Sequence, residues 1–99
     1  MPVGVMTLEI RIPYAHSLKE KRAVLRKLRD RLRSRFNLAV AELDHQETWQ
    51  RATLGVVSIS SSRRNLEQVL ESVLRESEKI LGRELEDHSI DYIEDRFSV

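Results

Sequence analysis

Cysteine is absent from the 99 residues, which excludes disulfides, thiolate metal sites and a cysteine nucleophile and is compatible with a reducing cytosol. Long apolar runs are absent too. No stretch approaches the roughly 18 residues of a membrane span, and the opening MPVGVMTLEI has no basic segment followed by a long apolar one. The expected protein is cytoplasmic, without membrane contact. The sequence also contains no P-loop, GxGxxG, HExxH or GxSxG signature, so no catalytic residues and no cofactor are expected, and the reading is not an enzyme. With 40% hydrophobic residues, the chain is expected to build one domain around a modest core.

Charge is plentiful and unevenly placed. Residues 1–36 carry ten basic and three acidic side chains, whereas residues 37–99 carry seven and thirteen. Nine of the basic groups, Lys19, Lys21, Arg22, Arg26, Lys27, Arg29, Arg31, Arg33 and Arg35, lie within residues 16–36, opposed there only by Glu20 and Asp30. A near-neutral protein with one strongly positive segment suggests a polyanionic partner, with RNA the leading candidate. The alternatives are a solvated helix face or complementary surfaces of a self-associating protein.

Hydrophobic periodicity places that segment on a helix. Residues 3–12 alternate, with Met6, Leu8, Ile10 and Ile12 on one face and Val5, Thr7, Glu9 and Arg11 on the other, which predicts a strand. Pro13 ends it, and Ser17 with Glu20 forms an S-x-x-E capping box. The spacing of Leu18, Val24, Leu25, Leu28, Leu32 and Phe36 predicts a helix over 17–36. At 100° per residue, Lys19, Arg22, Arg26, Arg29 and Arg33 fall on one flank of its apolar stripe, and Lys27, Arg31 and Arg35 on the other. Strands are predicted within 38–43, 52–59 and 86–97, and a second helix runs from the serines at 60–62 to Gly82. The order is βαββαβ, and two helices cover only one face of a four-stranded sheet. The expected fold is α+β, a two-layer ferredoxin-like sandwich with antiparallel strand order 4-1-3-2. Its open face would expose apolar side chains, Val5 and either Leu54 with Val56 or Val57 with Ile59, which suggests a partner or a homodimer.

Three sets of motifs carry a family resemblance. Pro13-x-x-x-Ser17-Leu18-Lys19-Glu20-Lys21-Arg22, then Arg35-Phe36-Asn37 with Ala41-Glu42, then Trp49-Gln50-Arg51-Ala52 with Leu54-Gly55-Val56 together resemble the YlxP-like family of small bacterial proteins of unknown function. The resemblance spans residues 3–60 and implies a ferredoxin-like fold without established catalytic residues. Such proteins are often encoded beside translation and ribosome-maturation factors, so by association the resemblance implies a link to RNA or a ribosomal particle.

The candidate nucleic-acid-binding residues are Lys19, Lys21, Arg22, Arg26, Arg29 and Arg33, with Ser17, Trp49, Gln50 and Arg51 as possible additions. Lys21 falls inside the apolar arc, so its stem is expected to pack near the sheet while its ammonium reaches outward. Lys19, Lys21 and Arg22 around the helix amino terminus offer a third function, anion or small-molecule binding. Trp49 is expected to close the core, with base stacking as the alternative. His16, His45 and His88 gather at one end of the sandwich, but the opposite sheet edges are about 14 Å apart at roughly 4.8 Å per strand, and no metal is expected. RNA recognition of the RRM type needs aromatics on the two central strands, and strands one and three contain none.

Overall fold

The structure is a computed structural model and describes residues 1–94. Its elements are β1 (Val3–Arg11), α1 (Leu18–Arg35), β2 (Ala39–Asp44), β3 (Arg51–Ile59), α2 (Arg63–Leu81), a short 3-10 turn (Gly82–Glu84) and β4 (Leu85–Ile93). The strands form one antiparallel sheet ordered β2-β3-β1-β4, which is the expected 4-1-3-2 order read from the other edge. Both helices pack on one face, and the fold is the ferredoxin-like sandwich.

Local chemistry sets the element boundaries. The chain leaves β1 at Pro13, whose ring cannot donate to a ladder. The Ser17 side chain accepts from the Glu20 amide at 3.1 Å, and the Glu20 carboxylate accepts from the His16 amide at 3.0 Å, so the start of α1 is capped from both sides. Ser62 caps α2 through the Asn65 amide. Gly82 ends α2 at a φ of 55° and ψ of −123°, a conformation that a Cβ would oppose. The last strand, predicted within 86–97, begins at Leu85 and ends at Ile93; Phe97 lies outside the described residues.

The core follows from the alternation in β1. Met6, Leu8 and Ile10 face the helices, beside Ala52, Leu54 and Val56 of β3, and meet Leu25, Leu28 and Leu32 of α1 and Leu66, Leu70 and Val73 of α2. The register pairs Val5 with Val57 and Val3 with both Ile59 and Ile93. The open face of β3 therefore carries Val57 and Ile59, whereas Leu54 and Val56 are buried. Near Arg11 that face turns polar, with Thr53 donating to Glu9 at 3.2 Å and Arg11 3.7 Å from Glu86. The open face is thus apolar at the Val57 end, with the exposed Leu43 lying over Gly55 nearer its middle.

Two glycines in the sheet have opposite surroundings. A Cβ at Gly4 would strike Leu70 from the core side, while one at Gly55 would meet only the exposed Leu43 side chain, which can turn away. Gly4→Ala is expected to cost about 1–3 kcal/mol, as core overpacking does, and Gly55→Ala less than about 1 kcal/mol. Urea unfolding of the two variants beside the parent checks the difference.

Candidate functional site

Lys21 is the most constrained polar group of the structure. Its side chain is 0% exposed, and its Nζ lies 2.9 Å from Glu42 Oε2, 2.7 Å from the His45 carbonyl, 3.2 Å from that of Arg51 and 3.4 Å from that of Gln46. The expectation of an outward ammonium is therefore corrected. The β2–β3 hairpin folds over the amino-terminal part of α1 and supplies the oxygens, so Lys21 does not reach a phosphate in this conformation. His45 adopts φ 65°, in the left-handed region that non-glycine residues seldom occupy, as the hairpin turns its carbonyl to the ammonium.

A second clasp lies alongside. The Gln50 side-chain amide donates to the Ala15 carbonyl at 2.7 Å, and the Ile12 amide donates to the Gln50 carbonyl at 2.8 Å. Gln50 thus joins the hairpin to the loop between β1 and α1. Ile12, Ala15 and the Lys21 stem, all 0% exposed, fill this end of the core, and no room is left for an indole. Trp49, expected to close the core, is instead 47% exposed. Arg51 is exposed on the open face beside Arg11. Ser17 spends its side-chain oxygen on the cap, and Glu20 already places a carboxylate at the start of α1; a bound anion there would meet that charge.

The two basic flanks of α1 have different fates. Arg31 lies 2.8 Å and Arg35 3.3 Å from the carboxylate of Glu76 on α2, which is 9% exposed. The hydrogen bond from Arg31 and the charge of Arg35 hold that carboxyl below the usual carboxylate range. On this flank the second helix offers one carboxylate to two guanidinium groups, and Lys27 enters no ion pair among the described residues. On the other flank, among the described residues, Lys19, Arg22, Arg26 and Arg33 enter no ion pair, and Arg29 meets only its exposed neighbour Asp30 at 3.4 Å. These five residues form a column that rises about 21 Å along the helix at 1.5 Å per residue. Arg22, Arg26 and Arg29 border a groove of about 280 Å³ between α1 and the edge strand β2, floored by Leu25, Val40 and Leu54. The structure thus brings five of the six expected basic residues onto one surface.

The model of the family described as protein of unknown function DUF503 matches residues 3–90. The chain belongs to that family. The uncharacterised protein YlxP of Bacillus subtilis (strain 168) is 43% identical over 72 residues, covering 73% of this chain and 78% of the relative. Among solved structures, a de novo designed ferredoxin-fold protein matches with a TM-score of 0.55 at 8% identity, over 94% of this chain and 83% of the design. SnoaB, a cofactor-independent oxygenase from Streptomyces nogalater solved as a mutant, matches with a TM-score of 0.53 at 10% identity, over 99% and 96% of the two chains. At such identities these structures share the fold alone. No helix of the described residues is long and apolar enough to cross a membrane.

The clasp generates a stability prediction. Lys21→Met removes the ammonium from Glu42 and three carbonyls, and the loss is expected to be on the order of 3 kcal/mol. Lys19→Met, on the exposed column, should change stability by less than about 0.5 kcal/mol. Equal losses in urea unfolding would show that the buried ammonium does not hold the hairpin.

Proposed function

We propose that this DUF503 chain is a non-enzymatic, cytoplasmic RNA-associated protein that docks α1 on a phosphate backbone, in a role tied to ribosomal particles or translation. The observation that supports the reading is the division of charge on α1: Glu76 of α2 pairs with Arg31 and Arg35, while among the described residues the exposed Lys19, Arg22, Arg26 and Arg33 and the half-buried Arg29 pair with no carboxylate of another element. A helix that served solubility alone has no need of one uncompensated flank, since unlike charges interspersed over the surface do that work. Contacts to phosphate fix position but carry little sequence information, and binding of this kind weakens steeply as salt displaces the basic groups from the backbone.

Neutralising Arg22, Arg26, Arg29 and Arg33 to Gln should weaken binding to every RNA in a mixed set and flatten its salt dependence by about three to four counterions. Neutralising Lys27, Arg31 and Arg35 should do much less. Anisotropy titrations between low and moderate salt compare the two variants; equal effects would show that the column is not the docking surface.

The apolar end of the open face favours a second reading, a homodimeric adaptor. Val57 is 41%, Ile59 50% and Ile93 41% exposed, and the register sets all three beside Val3 and Val5. Light scattering over a dilution series should then show a dimer that Val5→Lys converts to monomer. Monomer mass at every concentration would exclude it.

A further inference from the structure

The groove beside the column adds a property that phosphate contacts do not require. Its rim is cationic and its floor apolar: Arg22, Arg26 and Arg29 stand over Leu25, Val40 and Leu54. An anionic ligand with an apolar ring matches both, the ring shedding water on the floor while its charge meets the guanidinium groups. At about 280 Å³ the groove falls near the lower end of ligand-pocket sizes. It has space for a ring, not for a duplex.

Three observations choose among ligands of that chemistry. The column continues beyond the groove in both directions, to Lys19 and to Arg33, so the ligand must present charge repeatedly over about 21 Å. A small anion cannot. An acidic peptide joining the sheet would need a straight free edge, but β2 is six residues long and its pairing with β3 slips between Glu42 and Asp44, an irregularity of the kind that bends a strand and disrupts its edge. The Glu42 carboxylate at the end of the groove is already bound to Lys21, which leaves Arg22 and Arg26 as its unpaired charges among the described residues, with Arg29 meeting only its neighbour Asp30.

We infer that the ligand of the column is single-stranded RNA, with an unpaired base lodged in the α1–β2 groove while neighbouring phosphates lie on Arg22, Arg26, Arg29 and the ends of the column. The inference rests on the phosphate-docking reading and adds the strandedness of the RNA. In a duplex the bases are paired and stacked within the helix, so the same arginines meet phosphates while the groove stays unused.

The test titrates labelled oligouridylate and oligoadenylate of about ten nucleotides, and an RNA duplex of the same length, against the parent and against Val40→Phe, which fills the groove without changing charge. Val40→Met, a smaller filling at the same helix-facing position, repeats the test in case Val40→Phe unfolds, and circular dichroism verifies the fold of each. The parent should bind single strands about tenfold more tightly than the duplex, and the filled variant should lose that preference while holding the duplex as the parent does. Equal affinity of the parent for both forms, or a preference that survives filling, would overturn the inference and leave phosphate docking intact. Failure of the parent to bind either form would remove the phosphate reading itself, and the inference with it. Tighter binding of an alternating Asp-Leu peptide than of the oligonucleotides, abolished by Val40→Phe, would assign the groove to a protein segment instead.

Discussion

A lysine ammonium shut away from water must find acceptors inside the protein, because the desolvation of a charge costs several kcal/mol unless partners replace the lost hydration. Lys21 finds four oxygens within 3.4 Å, and they come from two ends of one hairpin: Glu42 on β2, His45 and Gln46 in the turn, and Arg51 at the start of β3. An ammonium has three donors, so the Gln46 contact, at 3.4 Å, is the weakest of the set. The consequence reaches beyond the hairpin. Because the other end of that side chain belongs to α1, the bond fixes the helix against edge strand β2 and sets the width of the groove between them. Gln50 reinforces the same junction from the opposite side by holding the loop that leads into the helix.

This junction also gives the family-like motifs a physical meaning. Pro13 ends β1, Ser17 and Glu20 cap α1, Lys21 enters the hairpin, Glu42 receives it, and Gln50 returns to Ala15. Residues far apart in sequence thus form one joint between helix, loop and hairpin. Their first role is to place α1, and the exposed arginines of that helix are what the joint presents to solvent.

The fold was legible because it depends on period and punctuation. The alternation in β1, the three-to-four spacing in α1 and α2, the serine caps and Gly82 are local signals, and local signals agree here with the tertiary result. What escaped the sequence depends on contacts between distant segments. A helical angle placed the Lys21 stem near the sheet, but the direction of its ammonium was decided by a hairpin more than twenty residues away. The two flanks of α1 read alike, since nothing in the sequence pairs Glu76 with Arg31 and Arg35 rather than with the other side. Its slot within α2 offered one clue: an acidic residue between Val73 and Ile80 lies close to a stripe that otherwise packs inward. Trp49 was misplaced for a related reason, as the end of the core it was expected to close is filled by Ile12, Ala15 and the Lys21 stem.

The charged column and the open sheet face bear on each other through symmetry. A two-fold axis along the exposed edge of β2 would bring two copies of Arg22, Arg26, Arg29 and Arg33 together, and like charges at short range oppose such pairing. The basic flank therefore protects the edge strand from self-addition, as charges beside sheet edges commonly do. The apolar surface at Val57, Ile59 and Ile93 carries no such penalty and lies on the opposite side of the sheet from α1. A pair of copies joined there would leave both columns facing solvent, each at its own β2 edge. The proposed RNA docking and the alternative self-association would thus use separate surfaces of the fold, and a dimer on the open face would offer two parallel or opposed phosphate tracks in place of one. Avidity between tracks on a single strand would then raise affinity without any new contact at either column.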